Sequence, residues 1–338
     1  MFIIASVGLD NFSEEKIKKI ILAGADALRY SFTYGATEET INHIKLGMGV
    51  IDDLNSSAKT IVNLPSNKVR LAGPDKPTVI KEHQEIILKS ISSPLITGEH
   101  IHVHIKELGN KVYIDQITTI DHGKIALQII EIINNDTVKV RALNEGTIQA
   151  TLGINLTQDD NIDAYLARCQ DIFNRLEEVA PEYLSIPYIN PAVNEKIKSL
   201  STFSWQPKMI ARINNAVGVE NIEKICQDSF YDTIIINRGE LGLDVPFEKL
   251  GILQKELIKT AKKYKKQVIV SSQILEGTIF NYIPLRSDIL DLTNIVLDGA
   301  DGIMLCQETS LSTRPAYTLS VARKIILEAE KYKKTNNS

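Results

Sequence analysis

Short apolar runs alternate with amphipathic stretches along the chain, and the alternation is interrupted once. Phe2–Val7 is an apolar run closed by Gly8, and Ser13 stands where it can cap a helix whose Ile17, Ile20 and Ile21 recur at helical spacing. Asp26–Tyr30 and Lys59–Leu64 read as the next two strands, with a helix from Glu38 to Leu54 between them. From Ala72 to Asn144 helical periodicity disappears. Segments such as IHVHI, KVYID, KIALQII and TVKVRAL, separated by Gly, Asn and Asp, predict a small β domain. After Gly146 the first rhythm resumes. Helices are expected at 163–179, 194–200, 219–227, 247–263, 289–297 and 316–332, and the polar tail KKTNNS is expected to fray. Strands are expected at Tyr183–Ile186, Lys208–Ile213, Asp232–Asn237, Gln267–Ser271 and Asp301–Leu305.

Eight strands therefore lie outside the interruption, each followed by a helix or by the insertion. That count predicts an α/β fold, a (β/α)8 TIM barrel with a small all-β domain inserted after the third strand. The expected division is 1–71 and 145–338 for the barrel and 72–144 for the insertion. A doubly wound open sheet competes, but no GxGxxG follows the first strand and no Walker loop occurs.

Composition narrows the class of partner. The 338 residues allow about two domains, and a net charge of −4 gives no general attraction for nucleic acid or an anionic membrane. MFIIASVG lacks the basic flank and apolar length of a signal peptide, and no run reaches the length of a membrane span. Cys169, Cys226 and Cys306 are scattered without a CxxC pair, which points to reduced thiols and a cytoplasmic location. The lysines near 262–266 read as a solvated helix end.

In a barrel the residues after each strand converge, and here they bring together several arginines and few carboxylates. Arg29, Arg212 and Arg238, with Arg70 beyond the third strand, suit bidentate binding of phosphate or carboxylate. Glu240 is the clearest anionic ligand for a hard divalent ion, with Glu308 and Asp244 as further carboxylates. Within DTIIINRGELGLDVP (Asp232–Pro246), a guanidinium, a glycine and a carboxylate follow a strand; the alternative reading is a surface turn with an incidental Arg238–Glu240 ion pair. No histidine lies beyond His122, which disfavours a Ser-His-Asp mechanism in the second half. His100, His102 and His104 share a face at metal-binding spacing, with a structural role the favoured reading.

Several long segments then match one family in order. ALRYSFTYG looks like ARLNFSHG, MIARINNAVGVENI like IISKIENxEGVxNI, IIINRGELGLDVP like IMVARGDLGVEIP, and LDGADGIMLCQET like LDGxDxVMLSGET. GTIQATLGINL and VIVSSQILEGTIFNYIPLRSD are similar to further motifs of the same set. The chain thus resembles pyruvate kinase over nearly its whole length, as a divergent form without the regulatory C-terminal domain. The resemblance implies phosphoenolpyruvate or a 2-oxo acid as ligand, with Mg2+ or Mn2+ held at Glu240 and Asn214. It implies substrate contacts from Arg29, Arg238, Gly239, Glu240, Ser272 and Gln273, and nucleotide or phosphate contacts from Arg70 and Tyr34. Arg212, Arg29 and Ser272 take the catalytic positions.

The departures bear on activity. Asn214 replaces a metal-binding glutamate, Glu240 replaces an aspartate, and Arg212 replaces the catalytic lysine. The positions implied for K+ hold Ser31, Thr33, Asn63 and Leu64, with a carboxylate neutralised and a hydroxyl lost; Tyr34 replaces a histidine that contacts nucleotide, and Leu152 a lysine. These changes count against K+, against ATP or ADP, and against ordinary pyruvate kinase activity. Three readings follow: metal-dependent phosphoryl transfer or enolate chemistry outside glycolysis, a metal-dependent lyase or aldolase-type enzyme, and a non-catalytic ligand sensor or partner subunit. Self-association through the outer helices is compatible with each.

Overall fold

The structure is a computed structural model and describes all residues except 9–11, 34–36, 75, 92–99, 159–160 and 337–338. Eight parallel strands close into a barrel in chain order: β1 (Phe2–Ser6), β2 (Ala27–Ser31), β3 (Lys59–Asn63), β4 (Tyr183–Pro187), β5 (Lys208–Ile213), β6 (Thr233–Asn237), β7 (Gln267–Ser271) and β8 (Gly302–Leu305). The strands are apolar runs because both of their faces are covered, one by the barrel interior and one by helices. The helices are amphipathic for the complementary reason. Glu14–Leu22 buries Ile17, Ile20 and Ile21, and Ser13 caps it by accepting from the Lys16 N–H at 3.3 Å.

The interior is layered. Ile4, Ala27, Ile61, Ile210, Ile235, Ile269 and Met304 form an apolar plug. Side chains alternate along a strand, so the next inward position lies two residues further toward the C-terminal end. Those positions hold Ser6, Arg29, Asn63, Arg212, Asn237, Ser271 and Cys306. One step along the same interior, the lining changes from hydrocarbon to polar groups. Gly47 in the helix Thr37–Asp53 helps hold β2 in place: a Cβ there would stand 1.7 Å from the Tyr30 Oη, so only glycine admits this contact.

The chain divides into two compact units, residues 1–66 with 166–338, and 67–165. The second unit starts earlier and ends later than the sequence pattern suggests, because Lys68–Arg70 and Gly153–Gln158 pair antiparallel and belong to its sheet. It contains a seven-stranded sheet and a two-stranded ribbon of Thr78–Ile80 with Gly146–Ile148. Its own core includes Val69, Leu88, Val103, Leu127, Val140 and Ile154. In this sheet His102 is buried while His104 is exposed, so the three histidines do not share one environment. Burial pulls the His102 imidazole below its usual range.

Several helix boundaries differ from the periodic pattern. The stretch 219–227 is two short helices, Ala216–Glu220 and Ile222–Gln227, the first capped by Asn215. The last helix runs Pro315–Asn336, so most of the tail expected to fray is helical. Lysines at the end of Leu250–Lys263 are paired: Lys262 with Asp301 at 2.7 Å and Lys263 with Glu223 at 3.4 Å. Among the described residues no helix is long and apolar enough to cross a membrane.

Candidate active site

Two guanidinium groups meet at the polar end of the barrel interior. With the Asn63 carboxamide oxygen facing them, it accepts from Arg29 Nε and Nη2 at 3.0 Å each and from Arg212 Nη1 at 2.7 Å. Arg29 Nη1 also donates to Ser6 Oγ at 3.4 Å, and Arg212 Nη2 to the Leu64 carbonyl at 2.8 Å. Arg212 is 4% exposed, so its charge sits in a low-dielectric setting. The shared acceptor is neutral. Two positive charges held close together around a neutral oxygen repel one another, and an oxyanion placed beside them relieves that repulsion.

Next to this pair, the ends of β5, β6 and β7 are tied by a chain of side chains. Ser272 Oγ donates to Asn237 Oδ1 at 2.8 Å, and Asn237 Nδ2 donates to Asn214 Oδ1 at 3.2 Å. Asn214 is 6% exposed, and its Nδ2 has no hydrogen-bond partner. Glu240 lies in the single helical turn Arg238–Leu241 that follows β6, where its Oε1 accepts from Ser66 Oγ at 3.4 Å.

Arg238 serves a different purpose from the other two arginines. It forms a two-pronged ion pair with Asp291, Nη1 to Oδ1 at 2.7 Å and Nη2 to Oδ2 at 2.8 Å. It also donates to the carbonyls of Ser272, at 2.9 and 3.2 Å, and Gln273, at 3.0 Å. The expected substrate-binding guanidinium is thus committed internally, and its carboxylate partner is Asp291 and not Glu240. Gly239 is buried in the same turn, and the Gln273 side chain is exposed.

The loop that Arg238 grips is strained. Ser272, Gln273 and Leu275 have φ values of 75°, 54° and 62°, a region that residues with a Cβ seldom occupy. Glu308 holds it from the other side: one carboxylate oxygen accepts from Ile274 N–H at 2.9 Å and the other from Cys306 N–H at 2.6 Å. Burial pushes the Glu308 carboxyl up to about 7, against the pull of those N–H groups. Burial likewise raises the Cys306 thiol, and the Glu308 charge beside it adds to the shift. Arg238 and Glu308 therefore position the loop, and Ser272 is the member of it that faces the asparagine chain.

The remaining expected residues divide between local roles and the second unit. Ser31 donates to Thr33 Oγ1 at 2.9 Å. Arg70 belongs to the second unit, where it donates to the Thr151 carbonyl at 2.8 Å. Tyr34 lies outside the described residues. Asn237 and Cys306 were not among the residues anticipated as site members. Their signal was the period of two: each stands two positions beyond an apolar plug residue, on the same face of its strand.

For a divalent ion the arrangement is poor in oxygen. Among the described residues no group of three or more His, Cys, Asp or Glu can hold a metal ion. Asn214, the expected second ligand, is a neutral amide whose oxygen accepts from Asn237 and whose N–H group is without a partner. The expected K+ position is equally altered, because the Asn63 oxygen receives both guanidinium groups and Leu64 offers no side-chain oxygen.

Comparison with known proteins gives a consistent result. The family model described as pyruvate kinase, barrel domain, matches residues 1–319. The pyruvate kinase of Buchnera aphidicola subsp. Schizaphis graminum is 28% identical over 354 aligned positions, covering 99% of this chain and 71% of that protein. That of Thermococcus litoralis is 29% identical over 339 positions, covering 98% and 70%. That of Staphylococcus aureus is 28% identical over 343 positions, covering 97% of this chain but 56% of its own length.

Proposed function

Because the chain belongs to the pyruvate kinase family through its barrel domain, we propose that its barrel mouth binds a small acid of the phosphoenolpyruvate and 2-oxo acid class and acts on it by phosphoryl transfer or enolate chemistry. The observation that carries this reading is the convergence of Arg29 and Arg212 on the single neutral oxygen of Asn63. Both reactions build negative charge on oxygen, in a transferring phosphoryl group or in an enolate. Fixed cations in a dry pocket stabilise such charge without reorganising. Arg212 acts as a permanent charge and not as a proton donor or base, because a guanidinium does not give up its proton in proteins. Ser272, held by the strained loop, has its hydroxyl turned to Asn237, and it orients the acid when that hydrogen bond is released to the ligand.

Mg2+ or Mn2+ in the family's manner does not fit the residues present. Glu240 is a single carboxylate, and Asn214 brings no charge, its oxygen already accepting from Asn237 and its other end being a donor. The Asn63 and Leu64 positions are altered in the same sense for K+, with a carboxylate neutralised and a side-chain oxygen lost.

Enolate formation has a direct readout in exchange of the pyruvate methyl protons for deuterium, followed by proton NMR. The expected result is measurable exchange that falls about 100-fold in Arg212→Met, as loss of one oxyanion-stabilising cation predicts. Phosphate release from phosphoenolpyruvate is followed in parallel. A second reading is favoured by the engagement of both nearby carboxylates, Glu240 with Ser66 and Glu308 with two backbone N–H groups. On that reading the barrel is a binding protein. Tight binding with neither exchange nor phosphate release would select it over the enzyme.

A further inference from the structure

The asparagines at the barrel mouth reverse the electrostatic demand of the site. A cation requires oxygen lone pairs directed at it, several of them and preferably charged. In the segment joining β5, β6 and β7, the oxygens that the asparagine chain supplies are neutral and each already accepts one hydrogen bond: Asn237 Oδ1 from Ser272, and Asn214 Oδ1 from Asn237. The chain ends on Asn214 Nδ2, a buried N–H group without a partner. A buried donor left unsatisfied is unfavourable, and the group that satisfies it is an acceptor, such as the oxygen of an anion.

The charge balance runs the same way. Arg29 and Arg212 bring two positive charges, and the amide between them cancels neither. The hydrogen-bond acceptors found for Arg29 are Ser6 and Asn63, both uncharged. Glu240, the carboxylate of the turn after β6, accepts from Ser66. Protein cations already present the charge that a bound metal would otherwise have to supply.

Resting on the oxyanion reading above, we propose that this site binds its small carboxylate or phosphate ligand without a divalent cation, with the Asn214 amide N–H and the guanidinium groups of Arg29 and Arg212 as its ligands. The ligand class is a compact oxyanion with two acidic groups, for which oxalate and phosphoenolpyruvate are the probes. Exclusion of the metal is then a property of the residue types: two guanidinium groups and an amide donor stand beside a single carboxylate, Glu240.

The test uses the full chain and two independent measurements. Oxalate and phosphoenolpyruvate are titrated calorimetrically in excess EDTA and again in excess Mg2+, and free Mn2+ is followed by electron paramagnetic resonance as protein is added. Expected are dissociation constants that agree within about threefold between the two buffers, and no loss of the free Mn2+ signal. Affinity at least tenfold higher in Mg2+, or Mn2+ taken up with or without oxalate, overturns the inference and leaves the oxyanion reading intact. No binding of either acid in either buffer overturns both. Asn214→Glu is expected to weaken oxalate about tenfold or more in EDTA and to create Mn2+ uptake beside Glu240. Asn214→Leu, which removes the N–H without adding charge, is expected to weaken oxalate by about threefold to tenfold in both buffers. Unchanged oxalate affinity in both variants removes Asn214 from the site.

Discussion

Arg29 and Arg238 occupy similar places, one at the end of β2 and one just after β6, yet their surroundings give them opposite roles. Arg29 meets a hydroxyl and a carboxamide, so its charge is available to a ligand. Arg238 meets Asp291 in a two-pronged pair and spends its other donors on the carbonyls of Ser272 and Gln273. The first is an arginine for binding, and the second an arginine for holding a strained loop. What separates them is a single carboxylate, supplied from the distant helix Arg286–Leu297. Charge at a barrel mouth becomes useful for binding when, among the described residues, no carboxylate is paired with it.

The largest effect is expected on the holding side. Asp291→Ala leaves the Arg238 guanidinium partly buried without its counter-ion, and unfolding free energy should fall by about 2–3 kcal/mol, measured by urea denaturation. A loss below about 0.5 kcal/mol would make the pair an ordinary surface bridge. On the binding side the signature is the reverse. Arg29→Met should weaken oxalate about 30-fold, equivalent to about 2 kcal/mol, while the ligand-free protein keeps its stability within about 1 kcal/mol. Loss of stability as large as the loss of affinity would make Arg29 a structural residue like Arg238.

Glu308 adds a pH dependence to the holding side. Its folded carboxyl lies near 7, above the ordinary 4.5, so the folded state retains a proton in that interval that the unfolded chain has released. Its contribution to stability is full below pH 4.5 and is lost as pH rises through about 7. Glu308→Gln should remove that fall from thermal melting profiles between about pH 5 and 8. The variant should also cost about 1–2 kcal/mol, because the Gln NH2 opposes one of the two backbone N–H groups. A wild-type profile flat across this range would contradict the raised carboxyl.

The smallest effect is the most discriminating. Asn63→Asp places a carboxylate between Arg29 and Arg212 and converts the binding arrangement into a holding one. The ligand-free protein should gain about 1 kcal/mol, and oxalate should bind about tenfold more weakly. If stability and affinity rise together, the neutrality of Asn63 is not what opens the site.

Much of the molecule could be read from the order of its residues. Eight short, largely apolar runs at βα spacing require burial on both faces, and a closed barrel provides it; the Gly- and Asn-punctuated stretch between β3 and β4 has period two and forms sheets. The arginines at the strand ends, with Asn63 and Asn214, were legible for the same reason, since strand direction follows from the chain itself, whereas Asn237 was passed over. Arg29, Asn63 and Arg212 are there because they stand two places past Ala27, Ile61 and Ile210. The sequence could not say which arginine is neutralised, because Arg238 and Asp291 are 53 residues apart and meet only through packing of a helix against the barrel. Nor could it show that the Asn63 amide receives two guanidinium groups or that Asn214 turns a donor to its free end. Local spacing sets which face a side chain takes; its charge balance depends on neighbours brought in by the closing of the barrel, and those are fixed only in three dimensions.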